Sequence, residues 1–345
     1  MKKWIITVML TSLLTTLIIG CSGKEDDSGT QKEEEAMPLI ETQQGNNGTG
    51  AEANTNTTSK ENTNLNTDAS TSAPAKTPGN HLEGGKHIVD PNKLSNLFGF
   101  ANPNGSQIIV TGQKSGLESS LSEYGNMIGE GGKTYDVRFV KWQKGTEQSN
   151  GRDTANNFAN LEGYIFEVID GKATPNETYY VVNEQDFDLE ALLKLTSPMQ
   201  TETVTDAELE DEETLMENIS LMRDRDVAQI WTLADIGGSE RKLYLVRFEN
   251  KDKDRLFSIV LFNGVDFLFR DYPAIANDDI SVWRVDDGGE VSPDMFSLLL
   301  AAETEQGLLL GLSWWGAEGI NSFFLLEDGG NFEELDIKYG RYTSP

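Results

Sequence analysis

From residue 86 onward, apolar positions come in short runs separated by turns rich in Gly, Asn and Asp. Runs with β-branched and aromatic residues occur at 107–111 (QIIVT), 134–142 (TYDVRFVKW), 161–169 (LEGYIFEVI) and 178–183 (TYYVVN), and such runs predict strands. More follow at 228–233, 242–249, 256–262, 265–269 and 280–285, then at 296–302, 308–314, 322–326 and 332–337. Asn263-Gly264 lies between two of them and predicts a two-residue hairpin, because both central positions of a type I′ turn need positive φ. Asp170-Gly171 predicts another turn.

Helical patterns are few. Asp90-Pro91 reads as an N-cap with proline at the first helical position, opening a short helix that stops at Gly99. Ser115 and Glu118 fit a capping box, with Leu117, Leu121, Tyr124 and Ile128 on one face. A helix at 188–197 would end at Pro198. Thr205 and Glu208 fit a second capping box, followed by an apolar stripe of Leu209, Leu215, Met216, Ile219 and Met222. This helical region, 186–226, divides two β-rich halves. The pattern predicts one β-dominated α+β domain over 86–345, with antiparallel meander sheets and a few added helices. A two-sheet sandwich and a propeller-like arrangement both fit.

The N-terminus follows another pattern. Met1-Lys2-Lys3 is basic, and 4–19 is an apolar run broken only by Thr and Ser. It is shorter than the roughly 20 residues a spanning helix needs, and its layout is that of a secretory signal peptide. Ile18-Ile19-Gly20-Cys21 resembles the lipobox of bacterial lipoproteins. That resemblance covers about the first 21 positions. It implies cleavage before Cys21, acyl chains on the Cys21 thiol and new amino terminus, and lipid anchoring on the extracytoplasmic face of the cell membrane. Two or three acyl chains hold a protein stably where one holds it marginally. Residues 22–85 contain no aromatic side chain and are dominated by Asn, Thr, Gly and Ser. Such a segment cannot bury enough apolar surface to offset the entropy of ordering it, so 21–85 reads as a disordered tether.

Charge and composition then remove whole classes of function. The 345 residues carry 57 acids against 28 bases, a formal net charge of -29. So acidic a chain repels phosphate backbones, which argues against nucleic acid as a partner. The two histidines, His81 and His87, lie in the tether and at the domain edge, and Cys21 is the single cysteine. The body therefore lacks the side chains for a Ser-His-Asp or Cys-His site and for histidine-ligated zinc. The stretch from Gly125 to Thr134 has the wrong glycine spacing for a phosphate loop and runs into a strand, so no nucleotide is expected.

Three features of candidate chemistry remain. Asp286, Asp287 and Glu290 surround Gly288-Gly289, and carboxylates wrapped by glycine suit calcium. They do not match EF-hand spacing, and Asp-Gly and Gly-Gly are also simply good turns, so the expected cofactor set is none, with Ca²⁺ the one cation these turns would take. Trp314-Trp315 precedes Glu318. Adjacent strand residues face opposite ways, so one tryptophan beside Glu318 could line a groove for a sugar or peptide, the plainer alternative being a core tryptophan. Paired carboxylates, the equipment of glycosidases, cannot be chosen from sequence among so many acids. The expected function is a membrane-anchored binding or scaffolding lipoprotein with an envelope protein or glycan as partner. The alternative is a cell-envelope glycan hydrolase. Mass spectrometry of protein purified from membranes should find a chain beginning at an acylated Cys21; an intact Met1 with a free thiol would overturn the anchor.

Overall fold

The computed structural model describes residues 86–197, 206–238, 240–277 and 280–344, with the backbone alone at 206–210. The expected signal peptide, Cys21, the expected tether and Thr205 of the second capping box lie outside these residues. The described residues fall within one compact unit, Pro78–Pro345, and contain fifteen strands.

Six short strands close into a barrel. They are β1 (Phe98–Ala101), β2 (Gln107–Val110), β3 (Asn126–Gly129), β4 (Lys133–Gln143), β5 (Gly163–Val168) and β6 (Thr178–Val182), in the order β1-β2-β5-β4-β3-β6. Every pairing is antiparallel. Ile108, Val110, Met127, Val137, Phe166, Tyr179 and Val181 fill its interior. Gly163 permits its tight curvature, since a Cβ there would stand 2.4 Å from the Val110 carbonyl oxygen. All four residues of β1 and of β3 are buried, because the barrel core lies on one side of them and a second sheet on the other.

That second sheet has nine strands. They are β7 (Leu195–Thr196), β8 (Val227–Ile236), β9 (Arg241–Phe248), β10 (Asp254–Phe262), β11 (Phe267–Ile275), β12 (Phe296–Glu303), β13 (Leu308–Trp315), β14 (Gly319–Asp328) and β15 (Asn331–Tyr342). The order is β12-β13-β14-β15-β11-β10-β9-β8-β7. It nearly closes on itself: the Leu193 N–H donates to the Ala301 carbonyl at 2.8 Å, and Leu192 bridges Ala302. Leu243, Leu245, Phe257, Ile259, Leu310, Leu312 and Leu325 pack inside. The long helix Asp206–Arg223 lies outside, where Ile219, Leu215 and Met216 cover Tyr244, Val246, Phe248 and Val260.

The two sheets meet along the outer face of β12–β15. Phe324 is wholly buried there, with its ring centroid 4.9 Å from Tyr180 and 5.5 Å from Phe98. Arg341 ties the same seam. Its guanidinium donates to the carbonyls of Asn176 (2.6 Å) and Asp153 (2.7 Å) and lies 3.9 Å from the Phe100 ring centroid. The outer edge of β12 does not stay bare either. Its carbonyls at Leu298, Leu299 and Glu303 accept from the N–H groups of Gly131, Gly132 and Val89 at 2.8–2.9 Å. An unpaired strand edge is a template for aggregation, and here Gly131–Gly132, Val89 and the Leu192–Leu193 segment cover it. His87 pins the start of the domain, its ring nitrogens 2.8 Å from Asp188 and 2.9 Å from Glu190.

The β-dominated antiparallel class is as the pattern predicts, realised as one closed barrel and one nearly closed sheet. Several local expectations differ. The Asp90-Pro91 helix is a single 3₁₀ turn, Pro91–Lys93, and strand β1 follows it. The Ser115 capping box does not form: a one-turn helix, Glu118–Leu121, has Leu117 at its N-cap, and Ile128 sits in β3. Pairing of β3 with both β4 and β6 outweighs the local helical pattern. At 188–197 only Leu189–Ala191 is helical, since Leu193 donates to the neighbouring sheet. Asn263-Gly264 lies in a four-residue loop between the paired Phe262 and Phe267, and only Gly264 has positive φ. Residues 280–285 form no strand, because the Asp287 carboxylate takes the N–H groups a ladder would need.

Phe324→Ala should cost about 3–5 kcal/mol, the usual range for emptying a buried aromatic site. Denaturant unfolding checks this. A loss under about 1 kcal/mol would mean that the layer between the sheets does not hold them.

Candidate functional site

Strands β11 and β15 are parallel neighbours joined by one residue pair, Phe269 with Asn331. Beyond it each pairs only with its other neighbour, β10 or β14. The wall of the second barrel therefore has a slot, with a volume of about 340 Å³. Tyr272, Trp314, Asn321, Ser322, Glu334 and Lys338 line it.

A bulge shapes this lining. Along β14, Phe323 pairs with Lys338 and Leu325 with Glu334, so two steps on one strand match four on the other. Such irregularities bend a strand and re-aim its side chains. In a straight strand, positions 334 and 338 stand about 13 Å apart. Here the Lys338 Nζ lies 2.9 Å from Glu334 Oε1, while Arg270 Nη2 lies 3.3 Å from Glu334 Oε2. One carboxylate thus sits between two cations on the slot wall.

The aromatic rings beside it are fixed by neighbours, yet their polar atoms are not engaged. Tyr272 stacks on Phe257 with centroids 4.7 Å apart, and Trp314 stacks on Phe296 at 5.4 Å. The Tyr272 hydroxyl, Trp314 Nε1 and Arg270 Nε are all buried without a hydrogen-bond partner. Burial, reinforced by the Glu334 charge and opposed by Arg270 beside the hydroxyl, holds the Tyr272 phenol well above its ordinary value, so it stays protonated. A buried polar group left without a partner costs about 1–3 kcal/mol, which makes three of them beside one cavity an unusual arrangement.

The loop before β12 braces the slot. Asp287 accepts from the backbone N–H groups of Val282, Trp283, Arg284 and Gly289 at 2.7–3.0 Å. Trp283 thereby donates its indole N–H to the Tyr272 carbonyl at 2.9 Å. Arg284 donates to the carbonyls of Trp314 (2.6 Å) and Gly319 (2.9 Å). Burial pushes the Asp287 carboxyl upward, but the four N–H groups outweigh it and hold the group below its ordinary value.

Of the residues singled out from sequence, Trp314 lines the slot and also packs in the core. Trp315 points away, its Nε1 3.3 Å from Ser297 Oγ. Glu318 is exposed in the β13–β14 turn, where its backbone carbonyl accepts from Thr343 and Ser344. The candidate calcium ligands are not gathered. Asp287 is occupied by backbone donors, Glu290 lies 3.0 Å from Arg247, and the backbone at Asp286 turns at φ 55°. Among the described residues, no three His, Cys, Asp or Glu side chains are grouped to hold a metal ion. Tyr272, Glu334 and Lys338 carry no motif in the sequence; the one available sign was Glu334, Asp336 and Lys338 alternating with Leu335, Ile337 and Tyr339.

A second cavity, about 780 Å³, brings Glu130 and Glu177 together with Trp231 and Phe296. Glu130 takes a left-handed backbone at φ 48°. Its carboxylate accepts from the Tyr135 hydroxyl (3.0 Å), the Thr174 N–H (3.1 Å) and the Tyr179 hydroxyl. These bonds outweigh burial and lower its pKa. Burial raises that of Glu177, with Arg341 opposing and Glu130 adding to the rise.

Compared with known proteins, the chain matches no family model, no curated protein and no solved structure. The argument for function therefore rests on the site itself.

Asp287→Ala should lower stability by about 2 kcal/mol, the scale of hydrogen bonds to a charged acceptor. The folded pKa of Asp287 is lowered, so its contribution is complete above the ordinary value of 3.8 and is lost as pH falls through the lower folded value. Melting curves of wild type and variant should converge in that acid range. A constant gap down to the lowest pH would show that the charge is not what the loop uses.

Proposed function

We propose that this chain is a lipid-anchored extracytoplasmic protein that displays an acidic β-barrel domain as a binding module, with the β11–β15 slot as its ligand site. The observation that carries this reading is the cavity itself, walled by the aromatic rings of Tyr272, Trp314 and Phe323 with Asn321, Glu334 and Lys338 as its polar lining. Pockets with an apolar wall and a few placed polar groups are the usual form of small-molecule sites. Anchoring is supported by the residues around Cys21. No helix among the described residues is long and apolar enough to cross a membrane.

A glycan hydrolase is the second reading, and Glu130 with Glu177 favours it. Two carboxylates whose surroundings push their pKa values apart are the arrangement that divides acid from base.

Two measurements separate the readings. A ligand held in the slot raises the melting temperature of the intact, detergent-solubilised protein by mass action. A library of small polar compounds should yield stabilising members, and Trp314→Phe should abolish their effect. A library without any such member would overturn the binding reading. Release of reducing ends from purified cell-wall glycan, lost in Glu177→Gln, would establish the hydrolase instead.

A further inference from the structure

The long helix Asp206–Arg223 covers only part of the outer face of the second sheet. Ile219, fully buried, and Arg223, 3.5 Å from the Phe269 ring centroid, hold its C-terminal half down. Beside its middle a groove of about 640 Å³ stays open. Ile230, Phe262 and Phe267 line it, all three half-buried. Phe262 and Phe267 are opposite each other in the β10–β11 ladder, with ring centroids 4.9 Å apart. Val265, in the loop joining those strands, lines the same groove and is 81% exposed. It is held there, since Asn263 Oδ1 accepts from the N–H groups of Val265 (3.0 Å) and Asp266 (2.8 Å). A valine fixed in water at the edge of an apolar groove marks an interaction surface. The rim of this groove is acidic. Asp211 and Glu212 stand on it, both exposed, and among the described residues neither is in an ion pair. Their helix carries seven acids and a single base, Arg223 in its last turn. Lys242 is the one base among the lining residues, and Asp235 stands opposite it in the β8–β9 ladder. A Cβ on Gly264 would stand 3.1 Å from Glu240 Oε2, which sets a further carboxylate against the loop.

We infer that this groove docks a basic peptide segment of a partner protein, whose aliphatic or aromatic side chains lie on Phe262, Phe267 and Val265 and whose Lys or Arg side chains meet Asp211 and Glu212. Charge decides among the occupants. A second copy of the chain in a two-fold interface would bring the same acids against these. The segment 22–85 has eleven acids against four bases, so it is repelled likewise. A basic segment is attracted, and the apolar floor supplies the burial that retains it. Apolar anchors in a groove are a recurring mode of peptide recognition, and opposite charge at the rim adds orientation and speed of encounter. The groove shares no lining residue with the β11–β15 slot, so the assignment stands whether or not the slot holds a ligand.

Fluorescence anisotropy of labelled peptides tests this on the intact protein in phosphatidylcholine nanodiscs, with empty nanodiscs as the blank. Acetyl-KLFKKLFK-amide should bind saturably at or below about 1 mM. Acetyl-ELFEELFE-amide keeps the apolar residues and reverses the charge. Acetyl-KGSKKGSK-amide keeps the charge and drops the apolar residues. Each should bind at least about tenfold more weakly. Val265→Asp should weaken the first peptide by about tenfold, and so should Asp211→Asn combined with Glu212→Gln. All three side chains are exposed, so both variants should melt as the wild type does. No saturable binding, comparable binding of either control peptide, or affinity unchanged in both variants would overturn the proposal. So would a dimer in sedimentation that Val265→Asp dissociates, which would give this face to a second copy. A clear fall in the melting temperature of Val265→Asp would also overturn it, because the groove would then be filled by the chain itself.

Discussion

The structure depends on one shared wall. Strands β12–β15 form part of the second barrel and also cover the first, so much of their length is buried on both faces. That demand explains sequences such as LLLGL in β13 and FFLL in β14, which have none of the alternation of a sheet with one wet side. It also explains why Phe324 meets Phe98 and Tyr180 from the other sheet. The last four strands thus line two apolar clusters at once, the interior of their own sheet and the layer between the sheets.

Sequence made the strands of this wall legible, and for the same reason hid others. Long β-branched or aromatic runs such as 134–142 and 242–249 lie close to β4 and β9. Strands β1 and β3, of four residues each, are too short for periodicity to separate strand from helix, and burial on both faces removes the alternation that would have helped. Their form comes from distant partners. The same holds at 188–197, where a carbonyl of β12 claims an N–H that a helix would have used. At 280–285 a single carboxylate, Asp287, overrides strand propensity by collecting successive backbone donors.

The candidate site was legible in one residue. Trp314 stood out because tandem tryptophans are uncommon, and in the structure its ring packs against the core and also lines the slot. Glu334 and Lys338 were visible only as the polar half of an alternating strand, which ordinarily means the solvent side. Here a bulge turns that half toward the slot, and no local pattern announces a register shift set by a partner strand. Asp287 illustrates the reverse case: a residue chosen for metal chemistry serves to brace the loop that holds the backbones of Tyr272 and Trp314.

The single pair between β11 and β15 has a mechanical consequence. On either side of it, β8–β11 and β12–β15 are zipped by long antiparallel ladders, whose opening must break many bonds together. At this seam the strands can part without unzipping any ladder, so thermal breathing of the wall concentrates where the slot already lies.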